Sequence, residues 1–213
     1  MEVKNIYPPV TPFLEVKLDQ EVIDYLWKII NLGKTKNINF KNNLIGNISQ
    51  SILLDDQDDF FYKSSCIPLI KFFRENNYGK DPVSVNTLLG PKSQLVLNKL
   101  WVNYQYKTEF NPYHDHSGVY SFAVWMKIPY DCNEQKKLPL FTNMKESNIR
   151  AGFFEFEYFD CLGSIKNLEY TLSEKYEGYM VFFPAKLRHC VYPFYGTEEP
   201  RISISGNISY LPV

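Results

Sequence analysis

The chain has 213 residues and only three histidines, which fall as a pair plus one. His114 and His116 lie in the run Asn111-Pro112-Tyr113-His114-Asp115-His116-Ser117-Gly118, and His189 follows Phe182-Phe183-Pro184-Ala185-Lys186-Leu187-Arg188. Each lies in or beside a strand-like segment. Residues i and i+2 of a strand point to one face, so an H-x-H pair offers two imidazoles to one point. A third histidine from another strand then closes three corners of a metal site. Three protein ligands that leave positions open suit a mononuclear iron that must also take substrate and oxygen.

The rest of the chain has to bring these residues together. A length of 213 residues is enough for one sizeable core, and residues 1–213 are expected to form a single domain. The 16 Phe and 16 Tyr fit pleated, half-buried surfaces. A net charge of −1 provides no broad basic field for a nucleic-acid partner. No apolar run reaches membrane-span length, and Met1-Glu2-Val3-Lys4-Asn5 lacks the apolar core of a signal peptide. Cys66, Cys132, Cys161 and Cys190 form no C-x-x-C pair. They read as reduced thiols, and the expected location is cytoplasmic.

Residues 1–18 read as a first strand broken by prolines. Asp19 is placed to cap a helix with the stripe Val22, Ile23, Leu26, Trp27, Ile29 and Ile30, which Gly33 is expected to end. Residues 34–57 read as turn-like, with one apolar patch at Ile52–Leu54. Asp58 and Asp59 open a second helical stretch, kinked or restarted at Pro68 and ended by Asn76-Asn77-Tyr78-Gly79. From about residue 82 the pattern changes to period two. Strands are expected at 95–106, 119–128, 152–159, 178–183, 188–195 and 201–210, with a polar, mobile loop at 130–150 near the site. On the strand at 95–106, Trp101, Asn103 and Gln105 share one face and Tyr104 and Tyr106 the other. Periodicity does not say which face lines a pocket. Helices first and strands after give an α+β class, with helices packed on one side of a β-barrel or sandwich.

The runs N-P-Y-H-D-H-S-G and F-F-P-A-K-L-R-H followed by R-I-S-I-S-G-N resemble the 2-oxoglutarate/Fe(II)-dependent oxygenases. The nearest likeness is to the group that carries an H-x-H pair, and prolyl 4-hydroxylases are more distant. The resemblance covers roughly residues 94–210 and implies a double-stranded β-helix, the distorted jelly roll, as the core from about residue 91. The N-terminal helices, to about residue 90, would support one of its sheets. It implies Fe(II), 2-oxoglutarate and O2 as cofactor and co-substrates, and C–H hydroxylation with release of succinate and CO2, a prolyl residue being the first candidate. By motif position the metal ligands are His114, His116 and His189. Most relatives keep a carboxylate where His116 stands, so Asp115, one residue early, remains the alternative ligand or an acceptor for an imidazole N–H. Arg201, on the strand after the distal histidine, would grip the far carboxylate of 2-oxoglutarate in a bidentate pair, helped by the Ser203 hydroxyl. Asn103 and Gln105, or Tyr104 and Tyr106 on the other face, would line the co-substrate pocket. The rivals are a cupin-type three-histidine metal dioxygenase and a non-catalytic jelly-roll binding protein. The substrate, a peptide or a small molecule, is left open.

Overall fold

The computed structural model describes residues 13–76 and 94–211. Among the described residues, ten strands form two antiparallel sheets. The six-stranded sheet has the order β1-β8-β5-β10-β3-β2 and the four-stranded sheet the order β4-β9-β6-β7. The strands are β1 (Leu14–Lys17), β2 (Gln50–Leu53), β3 (Leu95–Gln105), β4 (Asn111–His114), β5 (Tyr120–Lys127), β6 (Phe154–Phe159), β7 (Ile165–Tyr170), β8 (Tyr179–Pro184), β9 (Arg188–Val191) and β10 (Arg201–Tyr210). Two helices, α1 (Gln20–Lys36) and α2 (Ile67–Asn76), precede β3. This is the distorted jelly roll, with its helices on one sheet.

Strand alternation divides each central strand between two cores. Tyr120, Phe122 and Val124 of β5, Met180 and Phe182 of β8, Ile202 and Ile204 of β10, and Val102 and Tyr104 of β3 join Leu26, Ile29 and Ile30 of α1 and Phe73 of α2. The opposite faces of β5 and β8 carry Ala123, Trp125, Val181 and Phe183 toward Phe154 and Phe156 of the smaller sheet. β5 is therefore buried on both faces, which is why its sequence is almost continuously apolar. At Gly206 of β10 an added Cβ would come within 2.8 Å of the Lys99 carbonyl and closer still to the Phe122 ring, so only glycine lets β3, β5 and β10 lie flush there.

Local expectations are refined at several points. α1 does not stop at Gly33. It runs to Lys36 and ends at Asn37, which takes the left-handed conformation (φ 46°) and donates its N–H to the Gly33 carbonyl. Gly33 is needed for a close approach instead, since a Cβ there would lie 2.7 Å from Leu54 Cδ2. The second helical stretch is capped by Asp56 rather than Asp58 or Asp59: its two carboxylate oxygens accept from Phe61 N and Tyr62 N, each at 2.9 Å. A π-turn at Tyr62–Cys66 runs without a break into α2, so Pro68 lies inside a continuous helical stretch and its missing N–H falls just after the π-turn. The strand read at 188–195 ends at Val191.

β7 carries no strand signal in the sequence. It is an edge strand, exposed from Ile165 to Glu169, and so lacks an apolar alternation. The 130–150 segment is pinned rather than free. It contains a short helix at Cys132–Gln135 and 3-10 turns at Pro139–Phe141 and Glu146–Asn148. The Gln135 amide bonds the Tyr195 backbone in both directions, at 2.9 and 2.8 Å. Residues 1–12 and 77–79, read as part of the first strand and as the end of the second helix, lie outside the described residues. No helix among the described residues is long and apolar enough to cross a membrane.

Candidate metal centre and co-substrate pocket

β4 and β9 pair so that His114 stands directly opposite His189. β4 ends at His114, so the expected strand geometry for the H-x-H pair does not hold. His116 lies in the following turn and is returned to the cluster by its backbone N–H, which donates to the Ala185 carbonyl at 2.8 Å. One ligand-capable atom from each of His114, His116 and His189 falls within 4.8 Å of the others, and Nε2 of His116 and Nε2 of His189 are 3.2 Å apart. The second ring nitrogens of His114 and His189 face the backbone. His114 Nδ1 faces the Pro112 carbonyl at 2.7 Å and His189 Nδ1 faces the Leu187 carbonyl at 3.1 Å. A carbonyl accepts only from N–H, so both rings carry the proton on Nδ1 and turn an Nε2 lone pair inward.

Asp115 borders the same cavity, stays outside the cluster and pairs with Lys186 at 3.0 Å. It reaches neither the cluster nor an imidazole N–H, and backbone carbonyls take the acceptor role expected of it. Burial lowers the pKa of all three histidines: His114 below its ordinary value, His116 down to about 3 with the neighbouring His114 adding to the effect, and His189 well below 6.5. The cluster is thus three neutral imidazoles, the protonation state that metal binding needs. Three neutral imidazole nitrogens converging on one point fit a divalent iron.

These shifts predict a pH dependence. Unfolded histidines bind protons near pH 6.5, whereas folded His116 resists until about pH 3. Between those values the unfolded state holds more protons, so acid favours unfolding. The metal-free chain should lose stability as pH falls from 6.5 toward 3, by up to about 1.4 kcal/mol per pH unit for such a histidine. Thermal midpoints across that range should fall less steeply in His116→Gln than in the unmodified chain. Parallel slopes would refute the assignment.

A cavity of about 270 Å³ joins this cluster to a second pole. Arg201 opens β10 opposite Gln105 of β3 and is only 3% exposed. Its guanidinium donates to Tyr130 Oη at 2.9 Å and to Gln105 Oε1, while its buried Nε has no partner. Tyr130 in turn donates to the Gly152 carbonyl at 2.8 Å, and burial raises its pKa to about 12, which keeps the hydroxyl neutral. A buried cation with an orphaned donor is a site for an anion. Ser203 and Asn103, paired across β10 and β3, line the same cavity with Gln105.

The choice between the two faces of β3 is decided for Trp101, Asn103 and Gln105. Tyr104, a candidate for the pocket on sequence grounds, packs in the core beneath the helices, and Tyr106 lies beyond the strand, with its hydroxyl near Gln50 Oε1 at 3.4 Å. Tyr104 thus drops out because its face of β3 is the one the helices cover.

Two further residues support the site with little or no signal in the sequence. Tyr130 positions Arg201 but lies in a stretch that read as polar loop, with no local signal. Asn111, whose Nδ2 lies 3.2 Å from His114 Nε2, carries a weak signal, being three residues before a candidate ligand.

Residues 99–207, a little over half of the chain, match the family model described as "Putative 2OG-Fe(II) oxygenase". Among solved structures, a Pseudomonas putida prolyl-4-hydroxylase is similar over 92% of this chain and 91% of its own, at 10% identity and a TM-score of 0.54. An oxidoreductase of the 2OG-Fe(II) oxygenase family from Burkholderia pseudomallei is similar over 92% and 85%, at 12% identity and a TM-score of 0.50. The non-heme alpha-ketoglutarate-dependent epimerase SnoN, from nogalamycin biosynthesis, is similar over 93% and 76%, at 15% identity and a TM-score of 0.51. At these identities the structures share the fold. No curated protein shows significant sequence similarity to the chain.

Proposed function

The chain belongs to the 2OG-Fe(II) oxygenase family, and from that premise we propose that it hydroxylates a C–H bond of a small apolar group, a prolyl ring being the first choice. As a family member it is a 2-oxoglutarate-dependent dioxygenase that uses Fe(II), 2-oxoglutarate and O2. Bound iron supplies the oxidation, in which 2-oxoglutarate is decarboxylated to succinate and CO2 and the second oxygen atom of O2 enters the substrate C–H bond.

The protein's own work is to bind, orient and exclude water. In this reading His114, His116 and His189 hold the metal through nitrogen. Three neutral ligands leave Fe(II) its full formal charge of +2, matched by a dianionic co-substrate. Arg201, steadied by Gln105 and Tyr130, takes the far carboxylate with Ser203, while the amides of Asn103 and Gln105 line the path between. The reading treats the helical region and the β core as one functional unit, residues 1–213.

What carries the proposal is the meeting of three neutral imidazoles and a buried, partly unpartnered arginine in a single cavity. Phe40, Leu44, Ile48 and Trp101 line it as well, and an apolar wall of that kind suits a pyrrolidine ring. The Pseudomonas putida neighbour is by name a prolyl-4-hydroxylase, which adds weight to the choice of substrate. A cupin-type dioxygenase has no use for Arg201.

Succinate release measured with Fe(II), 2-oxoglutarate and a set of proline-containing peptides tests both levels. Metal-dependent succinate with a one-oxygen mass gain on a peptide is the expected result. With free proline included in the set, succinate without any modified proline or peptide would remove the prolyl choice, and no succinate at all would remove the oxygenase activity.

A further inference from the structure

The cavity floor is a ladder with two different ends. On its inward face β3 carries Lys99, Trp101, Asn103 and Gln105, and β10 sets Asn207, Ser205, Ser203 and Arg201 opposite them in that order. At about 3.3 Å per residue, Lys99 and Gln105 are roughly 20 Å apart. The His116 ring lies 5.9 Å from Trp101, so the histidine cluster sits over the middle of the ladder. The Arg201 end accounts for the co-substrate, and the Lys99 end is left over.

That end is built from donors and an apolar wall. Trp101 is 3% exposed, and its indole N–H is buried without a partner. The Lys99 ammonium, two residues along the same face, lies 5.7 Å from the Phe40 ring centroid and pairs with no carboxylate among the described residues. Phe40 stacks on Trp101 with centroids 4.9 Å apart. The acid lining the cavity, Asp115, is already neutralised by Lys186. Ser205 and Ala123 share the Trp101 rung, and their small side chains leave room beside the indole. The buried indole N–H lacks a partner and calls for an acceptor, and the exposed ammonium beside it favours one that carries negative charge.

Resting on the oxygenase reading above, we propose that the primary substrate is a small carboxylate with an apolar body. Its carboxylate meets Lys99 and the Trp101 N–H, its body lies against Phe40, and the C–H to be oxidised is thereby turned toward the histidine cluster. A prolyl substrate is then free proline or a C-terminal prolyl residue, not an internal one. Lys99 and Trp101 determine specificity.

The test uses the full chain loaded anaerobically with Fe(II) and 2-oxoglutarate and follows the weak visible band of that complex. The probes are the apolar free L-amino acids including proline, dipeptides ending in the same residues, and the carboxamides of both sets. At least one free carboxylate should shift the band and, in air, raise succinate release, with its carboxamide binding at least 10-fold more weakly. The free and dipeptide arms separate the two sources of the carboxylate. Lys99→Ala and Trp101→Phe should each raise the apparent Kd for that probe about 10-fold, the effect of losing one hydrogen bond of about 1.4 kcal/mol. Lys99 is exposed, so its variant folds even if the tryptophan variant does not. Equal binding of carboxylate and carboxamide, an unchanged Kd in Lys99→Ala, or no response to any carboxylate would overturn the proposal while the band still stands for the oxygenase reading. Absence of the band would overturn both.

Discussion

Replacing Arg201 with alanine should raise the apparent KM for 2-oxoglutarate about 100-fold, a loss of about 2.7 kcal/mol, and leave iron binding nearly intact. The size follows from burial. Arg201 is 3% exposed, and a charge pair formed there is little screened, so removing one partner leaves the co-substrate carboxylate desolvated and unmatched. The separation of effects follows from topology, since Arg201 starts β10 whereas the histidines lie on β4, on β9 and in the turn after β4. Arg201→Lys should fall between the two, because an ammonium keeps the charge and loses the planar fork. Gln105 and Tyr130 lose a partner in either variant, so folding is checked by thermal midpoint. An unchanged KM would sink the assignment.

Replacing His189 with alanine should yield a folded chain that no longer retains iron through desalting, with metal affinity down by at least 100-fold. His189 is 4% exposed and packs against Phe183 and Phe154, with ring centroids 4.9 and 5.5 Å away. The truncation therefore also opens a cavity, at an expected cost of about 2–4 kcal/mol. His189→Gln fills more of that space and separates lost packing from lost ligation. Asp115→Asn provides the contrast: its carboxylate faces Lys186, and iron should be retained. Stoichiometric iron in both His189 variants would refute the ligand role.

Much of the site was legible because strand periodicity is local. Arg201, Ser203, Ser205 and Asn207 share a face of β10 for the same reason that Ile202 and Ile204 share the other, and the boundaries of that strand, 201 to 210, agree with the structure. The helix ends were less legible. A glycine reads equally as a C-cap or as a close-packing position, and Gly33 is the second because Leu54, from another segment, lies against it. β7 was invisible because an edge strand need not bury either face.

The sequence by itself determined which residues the site could use: three histidines with no others in the chain, an arginine placed after the distal one, and alternating strands able to carry them. It also determined that those strands have two faces. Only the tertiary structure decided which face meets the cavity. Tyr104 turns to the core because α1 and α2 cover that side of the larger sheet, and this leaves Trp101, Asn103 and Gln105 inside. It likewise decided which of two neighbours joins the histidine cluster. β4 stops at His114, and the His116 N–H is tied to Ala185 while Asp115 is drawn out to Lys186. The partners in each case lie far along the chain, and burial depends on what packs against a face, which no local pattern encodes.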